Sequence, residues 1–304
     1  MRWQDAAEAR SRRWAGLELG ASRIWVCCTP PDRLRRVGAL LESTRIVAAG
    51  DVAADERRLA ALADDLVRQP PDALQGVSNV LAALARALER RSVVLHGTVC
   101  LSAGNHLTPW YRRQLEAVFA RSVRERYAVS EIGLIAASCE LGGLHVTVEN
   151  LLVEIVDVRG NAVAPGNVGE ITVTMLRNGA STRRRVGDVG RLHGEPCACG
   201  RGLPTIELRG RATEQVRLPD GRIVPPFELF DAIDDPSIAD ARFRHLTEQG
   251  VLEVEIQRVR GGGPVEAVGA RLEALVGPET RVLVSDVSRL EPGASGKLPL
   301  VASV

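Results

Sequence analysis

Aromatic side chains are scarce: Trp, Tyr and Phe together make up 3% of the 304 residues. A core must therefore be built mostly from Leu, Val and Ala within the 45% hydrophobic fraction. Long apolar runs are lacking as well. No stretch of about 18 such residues occurs, so no transmembrane helix is expected. The charged opening, Met1 to Arg13, is followed by no apolar h-region and does not read as a secretory signal. A formal net charge of +1 gives no bulk signal for nucleic acid or for a membrane surface. Cysteines are few and uneven, at positions 27, 28, 100, 139, 197 and 199. That is no disulfide framework for this length, and a reducing cytoplasm with metal-bound or buried thiols fits better. What remains is a soluble globular composition, long for one domain and comfortable for two.

The first half alternates strand-like and helical patterns. A helix is predicted over residues 1–20, a strand over Ile24–Cys28, a helix from Asp32 to Leu41, a strand over Arg45–Ala49 and a helix over Glu56–Arg68. Gly76–Asn79 leads into a helix over Val80–Arg90, and Val93–Ser102 reads as one long strand ending at the turn Ala103-Gly104-Asn105. Thr108 as N-cap and Pro109 at the first position open a helix to about Phe119. This alternation predicts a parallel sheet flanked by helices, whose carboxyl edge is where ligands sit.

After a strand over Val123–Tyr127 the pattern changes. Gly143–Ile155, Gly169–Met175 and Val186–Leu192 read as strands joined by Gly, Asn and Pro turns, an antiparallel, barrel-like appendage. Beyond Arg211 the chain restarts. Residues 215–218 and 222–224 flank the hairpin signal Pro219-Asp220-Gly221. A helix over Phe227–Ile233, strands over Arg242–Glu248 and Val251–Val259, a break at Gly261–Gly263, a helix over Val265–Val276 and a strand over Arg281–Val287 complete a small α+β unit. The expected division is 1–211 and 212–304. Residues 292–297 read as a mobile, glycine-flanked loop carrying Lys297.

The densest chemistry lies between Arg183 and Glu214. Gly187-Asp188 sets a carboxylate behind a residue at which the backbone turns freely. Gly210-Arg211 places a permanent cation just past a short β-like run. A carboxylate that accepts from hydroxyls and a guanidinium that clamps phosphate suit a nucleotide. Cys197 and Cys199 bracket one residue, and Cys139 and His145 bracket a Gly-Gly turn, so each pair can chelate locally. Together they would make a closed Cys₃His zinc site, with His193 as a rival ligand. Cys27, Cys28 and Cys100 stand in apolar strand contexts and read as core. Taken singly these residues also have ordinary readings: Tyr127 as a strand-end core residue, Glu131 and Asp188 as turn residues, Lys297 as an exposed lysine.

The order of four motifs weighs against the ordinary readings. Tyr127-Ala-Val-Ser130-Glu131-Ile-Gly133, Arg185-Val-Gly187-Asp188, Gly210-Arg211-Ala-Thr-Glu214 and Ser295-Gly296-Lys297 follow one another in a sequence that resembles the adenylate-forming (AMP-binding) superfamily. Cys139 to His145, Pro196 to Pro204, Pro71 to Gly76 and Gly104 to Pro109 resemble its phenylacetate-CoA ligase branch. The resemblance covers roughly residues 70 to 300, and the motifs are specific as a set. It implies ATP-dependent activation of a small carboxylic acid through an acyl-adenylate, followed by transfer to CoA or another nucleophile. In that scheme Tyr127 and Gly104 lie by the adenine, Ser130 by the α-phosphate and Glu131 on magnesium. Asp188 binds the ribose hydroxyls, Arg211 ribose or phosphate, and Lys297 the developing charge. Thr213 marks the hinge of the small unit, and zinc is implied for some members of the branch.

The sequence departs from the family pattern in places. Ala128 stands for the usual Gly, Ser130 for Thr, and Thr213-Glu214 for an acidic pair. Nothing in residues 1–70 resembles the family's Ser/Thr/Gly-rich phosphate loop. Three readings follow: an active ligase, a catalytically inactive or partner-completed binding subunit, and a zinc-stabilised structural protein.

Overall fold

A computed structural model describes residues 3–18, 20–28, 43–120, 123–149, 151–177, 180–259 and 266–303. The helix expected from Asp32 to Leu41 and the glycine break at 261–263 lie outside these. The chain runs α1 (Trp3–Trp14), β1 (Arg23–Cys27), β2 (Thr44–Ala48), α2 (Ala49–Ala54), α3 (Glu56–Arg68), β3 (Ala73–Val77), α4 (Ser78–Glu89), β4 (Val99–Ala103), α5 (Pro109–Val118), β5 (Arg124–Val129), β6 (Gly133–Ser138) and β7 (Leu144–Val146). These strands form one sheet in the order β2-β1-β3-β4-β5-β6-β7, parallel through β5 and antiparallel beyond.

Local chemistry explains the helices. In α3 the side chain of Asp55 accepts from the Arg57 amide, and Leu62, Ala63 and Leu66 recur on the buried face. In α5 Thr108 accepts from the Tyr111 amide at 3.3 Å and Pro109 opens the first turn.

Two elements differ from the pattern reading for the same reason. β3 is buried at all five positions and β6 at five of six, so neither has the alternation that marks a half-exposed strand. The opposite error falls at Val93–Ser102, where only Val99 onward pairs as a strand. Leu95 instead bridges to Phe119 at the end of α5. The single strand expected over Gly143–Ile155 is two, because β7 ends the first sheet and β8 starts the next.

The second sheet is antiparallel, in the order β11-β10-β9-β8, from β8 (Leu151–Val156), β9 (Gly169–Arg177), β10 (Ala180–Leu192) and β11 (Ile206–Arg211). Its apolar face (Val153, Ile155, Ile171, Val173 and Ile206) shares a core with Tyr127, Ile135 and Val146 of the first sheet. This is the barrel-like appendage of the pattern reading.

Beyond Arg211 come the hairpin β12 (Val216–Arg217) and β13 (Ile223–Val224), then α6 (Pro226–Ala232), β14 (Ile238–Leu246), β15 (Val251–Arg258), α7 (Glu266–Val276), β16 (Arg281–Val287) and β17 (Val301–Ser303). The last sheet has the order β16-β15-β14-β17. One apolar cluster runs from Val26 and Leu74 through α4 and α5 to Phe230, Phe243, Leu252 and Leu300, so the core continues across residue 211. No helix among the described residues is long and apolar enough to cross a membrane.

A buried polar group sits inside that cluster. The Tyr111 hydroxyl donates to Asp240, the Arg86 Nη1 donates to the Ala239 carbonyl at 3.2 Å, and Gln114 Nε2 donates to the same carbonyl at 2.9 Å. Desolvation raises the Asp240 carboxyl to about 6, against the opposing pull of Arg86. Its folded pKa exceeds the unfolded value of about 4, so the folded state holds the extra proton between those limits. Stability should therefore fall as pH rises from about 4 to 6, by up to about 3 kcal/mol from this group. Urea titrations across that window test this. Asp240→Asn keeps an acceptor for Tyr111 and should flatten the slope; an unchanged slope would assign it to other carboxyls.

Candidate functional site

The two sheets meet at the carboxyl end of β5. Tyr127 is buried there because its ring fills the core shared by both sheets. Its hydroxyl donates to Asp188 Oδ2 at 2.7 Å. Burial, then the charge of Asp188 and that bond, raise the tyrosine pKa, so the phenol stays a donor. Asp188 itself lies on β10 directly opposite Arg211 on β11, and the Arg211 Nη1 stands 3.4 Å from Asp188 Oδ1. The break in β10 register between Arg185 and Val189 contains Gly187, at φ 77°. It lets Asp188 pair with Arg211 while leaving the ladder to β9.

The same carboxyl edge gathers the other motif residues. β4 ends at Ala103, paired with Arg126 of β5, and Gly104 follows it at φ 81°. Lys297 comes from the loop before β17, and its Cε lies within 4 Å of the position a Gly104 Cβ would take. It is the chain's only lysine, and it is exposed. Ser130 and Glu131 are exposed in the turn between β5 and β6, which pair from Val129 to Gly133 and so end at this edge. The loop expected to be mobile is docked: Arg289 donates to the Ala53 carbonyl at 2.8 Å and Asn79 to the Gly296 carbonyl at 2.8 Å. Thr213 falls in a 3₁₀ turn, and next to it Glu214 pairs with His106 Nε2 at 3.1 Å.

Two features escaped the pattern reading. Gln4 on α1 donates to the Ile132 carbonyl at 2.9 Å and accepts from the Leu134 amide at 3.1 Å, clamping the turn that carries Ser130 and Glu131. Partners 128 and 130 residues away, both of them backbone atoms, leave no trace in the sequence. Cys28, expected in the core, is half-buried at the same edge, unlike the buried Cys27 and Cys100. Burial raises its pKa and the charge of Lys297 lowers it.

A second constellation lies at the far side of β6 and β7. Ligand atoms of Cys139, His145, Cys197 and Cys199 all fall within 4.8 Å of one another. Cys139 Sγ is 3.8 Å from Cys197 Sγ, and Cys199 Sγ is 3.2 Å from His145 Nε2. Tetrahedral thiolates about 2.3 Å from zinc stand about 3.8 Å apart, so the donor set fits that ion. His145 Nδ1 donates to the Leu203 carbonyl at 3.1 Å, which turns Nε2 toward the thiols. Gly143 admits the second loop, since a Cβ there would lie 2.7 Å from Cys197 Sγ. Burial opposes ionisation of Cys199, but donors from Arg201 outweigh it and hold the thiol at about 6. Trp14 of α1 meets His145 edge-on at 5.6 Å and lies between Arg10 and Arg201. His193, the rival ligand, stands outside the cluster, 3.8 Å from Glu207.

Among solved structures the chain is similar to enzymes that make acyl-adenylates. It superposes on 2-hydroxyisobutyryl-CoA ligase in the postadenylation state with a TM-score of 0.75 at 18% identity, covering 94% of this chain and 66% of that one. It is also similar to the anthranilate CoA ligase AuaEII in complex with anthranoyl-AMP (TM-score 0.71, 14% identity, 97% and 61% covered). A third is the amide bond synthetase McbA from Marinactinospora thermotolerans (TM-score 0.70, 16% identity, 97% and 63% covered). The chain thus has the fold of adenylate-forming enzymes and spans less than two thirds of these neighbours' length. Against an open conformation of the first ligase the TM-score is 0.60. No family model and no curated protein matches the sequence.

Proposed function

We propose that the chain binds ATP at the carboxyl edge of β4 and β5 and activates a small carboxylic acid as its acyl-adenylate. Two observations support this reading: Tyr127, Asp188 and Arg211 contact one another, and Lys297 reaches over Gly104 at the end of the neighbouring β4. Tyr127 uses its hydroxyl on Asp188 Oδ2, which fixes the carboxylate; with Arg211 3.4 Å from Oδ1, the remaining lone pairs accept from ribose hydroxyls. Arg211, half-exposed, reaches ribose or phosphate oxygens from the facing strand. Ser130 contacts the α-phosphate. Magnesium, held by Glu131, would offset charge on the phosphates.

The acid's carboxylate oxygen attacks the α-phosphorus and the bond to pyrophosphate breaks. Lys297 stabilises charge on both reacting groups. Transfer to CoA or another nucleophile follows, with the phenylacetate-CoA ligase branch as the nearest chemistry. In this reading residues 212–304 form the mobile lid, hinged at Thr213, and the Cys₃His set holds a structural zinc. Six cysteines, none of them in a disulfide, fit a cytoplasmic setting.

ATP–pyrophosphate exchange against a panel of aromatic and aliphatic acids tests the reading. At least one acid should support exchange, and Asp188→Ala should lower it at least about 10-fold through weaker nucleotide binding. Exchange that survives Asp188→Ala unchanged would reject the site.

A further inference from the structure

Lys297 is held through the backbone on both sides of it. The carbonyl before it, on Gly296, accepts from Asn79 Nδ2 at 2.8 Å. The carbonyl after it, on Leu298, accepts from Asn105 Nδ2 at 3.2 Å. The two amides are also joined, with Asn105 Nδ2 standing 3.3 Å from Asn79 Oδ1, and Asn105 is held further. Asn105 Oδ1 accepts from the His106 amide at 3.0 Å. The Asn105 carbonyl accepts from Ser78 Oγ at 2.9 Å, and Ser78 Oγ lies 2.8 Å from Ser102 Oγ. Asn79 sits in the first turn of α4, only 7% exposed, and Asn105 directly follows Gly104.

The backbone at 296 has no freedom to compensate. Gly296 is at φ 79°, and a Cβ there would stand 2.6 Å from the Ala49 carbonyl carbon. Gly293 and Gly296 close the loop on itself: the Gly296 amide donates to the Gly293 carbonyl at 2.8 Å and the Gly293 amide to the Lys297 carbonyl at 2.9 Å.

From this bracket we infer that Asn79 and Asn105 are positioning residues for Lys297, gripping the peptide carbonyls on both sides so that its stem lies over Gly104. The inference rests on the proposed adenylation only for what Lys297 then does; the grip itself can be tested apart from it. An amide is required at both places. A carboxylate of the same shape cannot donate and would face a carbonyl oxygen. The grip also selects one lid pose, since the donors come from α4 and the loop after β4 and both acceptors from the chain after β16.

The chain has one lysine, so lysyl endopeptidase has one cleavage site, the Lys297–Leu298 bond. A loop held at both flanking carbonyls must leave its seat to be cut, and cleavage then follows the population of the released form. Asn79→Asp and Asn105→Ala should each speed this single cut at least 10-fold. Trypsin cleavage after arginines elsewhere and the thermal midpoint serve as controls for general loosening. Asn105 lies in a loop, so its variant stands in should Asn79→Asp misfold. An unchanged Lys297 cut in both folded variants overturns the inference. With an acid that supports exchange, Asn79→Asp should lower kcat at least 10-fold with KM for ATP within twofold. An unaltered kcat also overturns it. If the parent exchanges with no acid while the protease result holds, the adenylation reading falls and the positioning stands.

Discussion

Lys297→Ala should lower acid-dependent ATP–pyrophosphate exchange by about 10²- to 10³-fold, the usual effect of removing one preorganised donor from developing charge. Nucleotide affinity and thermal midpoint should barely move. The side chain is exposed and buries little apolar surface, so its removal leaves no cavity and no orphaned partner. Its stem lies over Gly104, just past the end of β4. Arg211 stands 3.4 Å from Asp188 and in this reading serves ribose or phosphate, so the charge over the reacting acid falls to Lys297. Lys297→Arg should recover part of the rate at most, because a planar fork on a different stem presents its charge differently from a compact ammonium. Isothermal binding of AMP and initial-rate exchange on the same preparations separate the two effects. A loss of AMP affinity equal to the loss of rate would make Lys297 a binding residue rather than a catalytic one.

How far these residues could be found without coordinates depended on what each one contacts. Helix Glu56–Arg68, with one buried face, and strand Arg281–Val287, largely alternating exposed with half-buried positions, follow directly from periodicity. β3 and β6 have no wet face, and pattern alone cannot mark them. Motif order singled out Tyr127, Asp188, Arg211 and Lys297, because family resemblance acts on side-chain identity along the chain. It could not give the cross-strand pairing of Asp188 with Arg211, which depends on a register break at Gly187. Nor could it give Asn79, Asn105 or Gln4. Their partners are backbone atoms 217, 193 and about 130 residues away, and any residue supplies a carbonyl. The docked loop at 292–297 shows the same limit. Glycines there read as mobility, while Gly296 is the residue that permits close approach to Ala49.

One zinc per chain should copurify with the protein, and its removal should have the largest effect on stability. Three thiols and an imidazole would close a zinc site with four protein ligands, the pattern of a structural rather than a catalytic ion. Binding by such sets stabilises small folded units by roughly 10 kcal/mol or more, so a chelator strong enough to strip the ion should lower the thermal midpoint by at least about 10 °C. Cys197→Ser should act in the same direction without chelator. The site joins the Cys139 turn to the 197–199 loop, and that loop feeds β11: the Val146 amide donates to the Pro204 carbonyl at 2.9 Å and His145 bridges to Thr205. Six residues further on, the same strand ends at Arg211. Metal loss should therefore weaken AMP binding as well, by less than Asp188→Ala does, because Tyr127 still fixes Asp188 when β11 loosens. Cobalt substitution gives an independent reading, since thiolate-to-cobalt charge transfer appears only if the cysteines are ligands. A chain that binds no zinc and keeps its midpoint in Cys197→Ser would reduce the cluster to packed free thiols.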